Sequence, residues 1–193
     1  DERFHHLKLK RLLSDSIDSF IFPRIKYTLD EVKKTRLVAK NNETLCLLYP
    51  FFNEIYPDSK FVNIVRNGFA NLESKLRHRR VKSPKEAGII YNNLVGHMIE
   101  MSNQENAYII KYEDFVENPE KELKKICNET ELSFYEKMLR INNISYSFVE
   151  SNKVEGISNE RRNVWKKGGL NSAEFFIIQR QTKNIIKHLH KKC

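Results

Sequence analysis

Apolar and polar positions along this chain follow two rhythms. Short apolar runs that close on a polar junction alternate with longer stretches in which apolar residues return every three or four positions. The first rhythm belongs to buried β-strands and the second to helices with one buried face. Residues 3–20 carry Phe4, Leu7, Leu12, Leu13, Ile17 and Phe20 at a spacing that predicts an amphipathic helix. Leu37-Val38-Ala39 predicts a brief strand ending at Lys40-Asn41-Asn42-Glu43, with a helix from Thr44 to Tyr56 and a turn at Pro57-Asp58. Phe61-Val62-Asn63-Ile64-Val65 predicts a second strand, ending at Arg66-Asn67-Gly68 with a helix after it. A long helix is expected after Ser83-Pro84, and a third strand at Tyr108-Ile109-Ile110, ending at Tyr112-Glu113-Asp114. Asn118-Pro119-Glu120 supplies an N-cap, a proline at the first helical position and an acid in the first turn. The helix it opens buries Leu123, Ile126 and Cys127. A last helix is expected from Asn171 to about His190, capped by Asn171 or Ser172, with Glu174 in its first turn and a stripe of Phe175, Ile178, Ile185 and Leu189.

Strands alternating with helices predict right-handed crossovers and a parallel sheet covered by helices, a three-layer α/β fold. In such a sheet every strand ends on one edge, and ligands bind there. Lys40, Arg66 and Tyr112-Glu113-Asp114 all fall just past strand ends. Asn67 and Gly68, between strand and helix, are expected to leave backbone N–H groups pointing above the sheet, where the helix dipole favours an anion. Arg66 adds a forked donor suited to phosphate. An arginine at a strand end also serves as a rim salt bridge, and the residues alone leave both roles open.

Composition narrows the class. The chain has 193 residues, 40% hydrophobic and 31% charged. That balance gives one globular domain with a real core and excludes a disordered chain. No apolar run approaches the roughly 20 residues of a bilayer crossing. The formal charge of +9 is concentrated at the end, where residues 161–193 hold 9 Lys/Arg against 1 Asp/Glu. Such a cluster suits nucleic acid, an anionic surface or a small phosphorylated ligand, and is equally the composition of a solvated helix face. Aromatic residues beyond Trp165 do not interleave with it, which argues against nucleic acid. Cys46, Cys127 and Cys193 form no metal-binding pattern and are expected to be free thiols of a cytoplasmic protein. The three N-x-S/T sequons, at Asn42, Asn128 and Asn143, are near chance in so Asn-rich a chain and are expected to be unglycosylated. The opening Asp1-Glu2-Arg3-Phe4 is neither an initiator Met nor a secretory signal.

Four segments carry a family likeness. Tyr56-Pro57-Asp58-Ser59-Lys60-Phe61-Val62-Asn63-Ile64-Val65-Arg66-Asn67-Gly68 resembles the 3′-phosphate-binding segment of sulfotransferases that use 3′-phosphoadenosine-5′-phosphosulfate (PAPS), in which an arginine is followed eight positions later by a serine; Arg66 and Ser74 keep that interval. Lys40-Asn41-Asn42-Glu43-Thr44 resembles the family's upstream K-T-P or K-N-P-E-N element. Lys111-Tyr112-Glu113-Asp114-Phe115-Val116-Glu117-Asn118-Pro119 resembles its R-Y-E-D-L element, and Arg162-Asn163-Val164-Trp165-Lys166-Lys167 its G-R-W-K stretch before the terminal helix. Their order and intervals cover residues 35–190.

The resemblance implies a P-loop-type α/β fold, PAPS as sulfuryl donor, no metal, and a small-molecule or glycan hydroxyl or amine as acceptor. Arg66 and Ser74 would bind the donor's 3′-phosphate, Tyr112 its adenine, and Arg161, Arg162 and Lys166 would add charge toward its phosphates. Glu113 and Asp114 read as scaffold, capping or pairing groups, and Trp165 as a packing anchor. Lys40 matches the lysine that stabilises charge on the leaving oxygen. Two positions on, cytosolic members place a basic His, but here Asn42 cannot take up a proton at neutral pH. Val164 stands where the family has the arginine adjoining Trp. None of the six glycines, Gly68, Gly88, Gly96, Gly156, Gly168 and Gly169, belongs to a G-x-x-R-S-G-T-T phosphosulfate loop. The expectation is therefore a single sulfotransferase-like domain over 1–193 that lacks the first strand and that loop. Two other readings compete: a non-catalytic module binding nucleic acid or acidic glycan through the basic C-terminal segment, and a nucleotide kinase, which the lack of a Walker-type loop disfavours.

Overall fold

The structure is a computed structural model, and it describes Val38, residues 43–140, Lys166 and residues 169–192. Two compact units divide the chain, Asp1–Ser59 and Lys60–Cys193. The expected helix over 3–20 lies outside the described residues. Val38, the described member of the expected strand over 37–39, lies in no strand and is 87% exposed.

In the first unit a 3₁₀ turn, Glu43–Leu48, leads into α1, Tyr49–Ile55. The expected single helix from Thr44 is thus split in its geometry. Pro50 has no N–H to return to Cys46, so α-helical bonding starts at Tyr49, with the proline in the first turn where it is tolerated. Cys46 and Tyr49 turn inward and are buried.

The second unit is built on two parallel strands, β1 (Phe61–Val65) and β2 (Ala107–Lys111), paired in register from Phe61 with Ala107 to Val65 with Lys111. Between them come α2 (Gly68–Arg77) and α3 (Pro84–Met101). After β2 come the short α4 (Tyr112–Glu117), α5 (Pro119–Glu129), a 3₁₀ turn at Glu136–Leu139 and the long α6 (Ser172–Lys192). Strand β1 has the expected bounds, and β2 extends the expected one by a residue at each end.

Helices lie against both sheet faces. On the face of Asn63 and Ile109, α3 packs with α2 and α6; Asn63 Nδ2 approaches Met101 Sδ at 4.0 Å. Along α3 the buried residues Ala87, Tyr91, Leu94, Val95 and Met98 recur at helical spacing. They meet the α6 stripe, in which Ile178, Thr182 and Leu189 are buried. On the opposite face α5 covers β2, and Val62, Tyr108 and Ile110 line a cleft with Lys125, Ile126 and Glu129. Cover over β1 is thinner there: Ile110 is 3% exposed and its partner Ile64 51%.

The helix ends follow their sequence signals. Ser83 accepts from Glu86 N at 3.2 Å, ahead of Pro84. Asn171 and Glu174 each accept the other's backbone N–H at 2.9 Å, a reciprocal capping box that settles the choice between Asn171 and Ser172. Asn118 holds the expected N-cap position of α5, but its side chain makes no capping hydrogen bond there. Arg79, just past α2, has φ 52°, a left-handed conformation that closes the helix through Arg80 N to Lys75 O at 2.9 Å.

Candidate functional site

Because Val65 and Lys111 are the last pair of the sheet, Arg66 and Tyr112 leave it side by side. The Arg66 guanidinium carbon stands 5.0 Å from the centre of the Tyr112 ring, a cation–π contact between two half-buried side chains. Tyr112 therefore limits where the guanidinium can turn. Behind Arg66, the Tyr91 hydroxyl donates to the Arg66 carbonyl at 2.9 Å. Tyr91 sits on the buried stripe of α3 and is 3% exposed. Burial, with the Glu113 carboxylate as a second cause, pushes its phenol well above the ordinary value of 10.0, so it is a neutral donor at physiological pH.

The start of α2 is already occupied by the protein. Glu113 Oε1 accepts from the Asn67 N–H at 3.0 Å, and the Asn67 side chain accepts from the Phe69 N–H at 2.9 Å. The expected open N–H at Asn67 is corrected accordingly: the acid after β2 reaches that donor because β2 and β1 end together. Glu113 is the pairing group expected of it. Gly68 lies against Tyr91 and Thr182, where an added Cβ would stand 3.4 Å from Tyr91 Cε1 and 3.6 Å from Thr182 Cγ2.

With the Asn67 and Phe69 donors engaged, the flank of α2 offers further donors to an anion held by Arg66. Seven residues of α-helix turn through nearly two full turns, so Ser74 lies on the side of Asn67 to within about 20°. Ser74 is half-buried. Its neighbour Glu73 is buried and accepts from Arg77 Nε at 3.1 Å. At the same rim Phe69 stacks on Phe175 of α6, with ring centres 4.5 Å apart and planes at 13°.

Of the residues singled out from sequence, Arg66 and Tyr112 are brought into contact, and Ser74 sits on the helix that Arg66 introduces. Lys166 is described and exposed. Lys40, Arg161 and Arg162 lie outside the described residues. Sequence reasoning missed Tyr91, though a tyrosine on the buried stripe of a helix needs a hydrogen-bond partner and was findable on that ground. The Glu73 contact described below left no sequence signal.

Comparison with known proteins gives the family and the fold. The profile described as "Sulfotransferase family" matches residues 3–136, more than half of the chain. The chain belongs to the sulfotransferase family. The match includes the opening segment that the motifs did not reach and stops before the Arg162–Lys167 element. A curated relative from Caenorhabditis briggsae, named "Putative protein-tyrosine sulfotransferase", is 24% identical over 147 residues, 67% of this chain and 52% of its own length. Two solved sulfotransferase domains share the fold at 20% identity each. The one from the curacin biosynthetic pathway has a TM-score of 0.60 and covers 82% of this chain and 65% of its own. The one from the Synechococcus PCC 7002 olefin synthase has a TM-score of 0.52 and covers 66% of this chain and 49% of its own. The chain thus spans about half the length of the curated relative. Among the described residues no helix is long and apolar enough to cross a membrane.

Proposed function

We propose that this sulfotransferase-family chain takes part in sulfuryl transfer from PAPS to a hydroxyl or amine acceptor, and that the edge at Arg66 binds the donor's 3′-phosphate. The observation that carries the proposal is the Arg66 guanidinium standing against Tyr112 where β1 and β2 end together. Arg66 supplies the positive charge and forked geometry a phosphate needs. The Ser74 hydroxyl donates from the flank of α2, and Tyr112 restrains the guanidinium and lies beside the adenine. Glu113 takes no part in binding the anion, because its carboxylate already serves Asn67.

PAPS supplies an activated sulfuryl group. The bond from sulfur to the 5′-phosphate oxygen breaks, its electron pair leaves with 3′-phosphoadenosine-5′-phosphate (PAP), and the acceptor loses a proton as its new bond to sulfur forms. The chain contributes positioning and charge stabilisation, as in phosphoryl transfer. Lys40 is assigned to the leaving oxygen, and Arg161, Arg162 and Lys166 to the donor's phosphates, on the family resemblance alone. A cytoplasmic setting accords with Cys46 and Cys127 being buried thiols. Calorimetry with PAP tests the reading: Arg66→Ala weakens binding by about 1.5–3 kcal/mol, the scale of charge-assisted hydrogen bonds. Unchanged affinity removes Arg66 from the site.

The competing reading, a module for nucleic acid or acidic glycan, is favoured by the cleft on α6 lined by Asn184, Lys187, His188, His190 and Lys191. It requires salt-dependent binding of heparin or an oligonucleotide that PAP does not displace.

A further inference from the structure

We infer that Glu73 is a positioning residue: by docking against Gly169 it fixes the chain just after Lys166 on the shoulder of α2, next to Ser74. The inference rests on the donor-binding reading above and adds to it how the basic segment is held at the site. The Glu73 side chain is 8% exposed, an unusual state for a carboxylate, and its ion-pair partner Arg77 is itself 57% exposed. The carboxylate stays inside because the backbone of Gly169 lies on it. A Cβ built on Gly169 would stand 2.5 Å from both Cγ and Oε1 of Glu73 and 2.8 Å from its Cδ. No side chain fits in that space unless the glutamate, gripped by Arg77, moves. Gly169 is therefore glycine for close approach.

The other end of the contact is equally fixed. Two residues after Gly169, Asn171 and Glu174 close the capping box that starts α6, a helix packed on α3 and α2. The turn at 169–171 is thus held on one side by Glu73 and on the other by α6. Gly169 lies three residue steps after Lys166, a span of at most about 11 Å. Glu73 and Ser74 are neighbours in sequence, so the latch places a lysine within reach of the hydroxyl assigned to the 3′-phosphate. An acid beside a phosphate site repels the ligand unless its charge is engaged. Here it is turned inward, engaged by Arg77, and serves as the floor for the turn at Gly169.

A double-mutant cycle read by PAP calorimetry on the full chain separates this role from general stability. Gly169→Ala, which must push Glu73 aside, is expected to weaken PAP roughly threefold to fivefold, the most that one exposed cation contributes. Lys166→Ala is expected to weaken PAP by a similar factor, and Gly169→Ala added to Lys166→Ala to cost nothing more. Glu73→Ala removes the contact from the other side and is expected to give the same cycle. An equal loss from Gly169→Ala in both backgrounds, or no loss in either, overturns the latch. Should Gly169→Ala leave PAP untouched while Arg66→Ala weakens it, the latch alone fails. Should Arg66→Ala leave PAP binding unchanged, the donor reading fails and the latch with it.

Discussion

Replacing Tyr91 by phenylalanine removes one oxygen from the interior and tests how Arg66 is held. The phenol is 3% exposed and donates to the Arg66 carbonyl at 2.9 Å, so the substitution leaves that carbonyl without this donor. The ring itself stays packed, and no cavity larger than the hydroxyl opens. The expected cost is that of one broken internal hydrogen bond with a partner left behind, about 1–2 kcal/mol, or roughly 3–6 °C in the melting midpoint for a chain of this size. A pH signature accompanies it. The folded phenol titrates above its ordinary value of 10.0 because it is buried and faces Glu113. Both states bind the proton below that value, so Tyr91 imposes no pH dependence there. As pH rises past 10 the unfolded chain releases the proton first, and stability falls. Urea unfolding of the parent is therefore expected to hold its midpoint from pH 7 to 9 and decline above about 10. Tyr91→Phe is expected to start lower and decline less steeply. A variant as stable as the parent at pH 7, with the same alkaline slope, refutes the hydrogen bond and the account of the strand end built on it.

Two further predictions concern the same frame. Glu113→Gln weakens the acceptor for the Asn67 N–H and is expected to lower stability by about 0.5–1.5 kcal/mol in urea. PAP affinity is expected to hold or rise, since a negative charge leaves the rim; loss of binding would place Glu113 among the ligands. Arg79→Gly relieves a left-handed residue at the end of α2 and is expected to stabilise the chain by about 1 kcal/mol, checked by thermal melting; destabilisation would show that the Arg79 side chain matters more than its backbone.

β1, β2 and the long helices α3 and α6 were legible because their signals are local. The Val-Ile run of β1, the Ser83-Pro84 start of α3 and the Asn171–Glu174 box each specify their own element within a few residues. The split of the first helix was legible in principle from Pro50, and the missed boundary came from weighing apolar spacing above the missing N–H. Arg66 and Tyr112 were placed together by a topological rule, since parallel strands end on one edge. What could not be read was occupancy. The N–H of Asn67 looked open until the register of β2 brought Glu113 to it, a contact across 46 residues. Nothing local in the sequence marks Glu73, whose burial goes with the tertiary approach of Gly169.

The most direct measurement is whether the protein distinguishes a 3′-phosphate. Calorimetry compares PAP with adenosine 5′-monophosphate, which lacks that group, on the parent, Arg66→Ala and Ser74→Ala. The account predicts a strong preference for PAP in the parent, nearly erased by the arginine substitution and reduced by the serine one. Equal affinity for the two nucleotides in the parent, or a preference that survives the loss of Arg66, contradicts it.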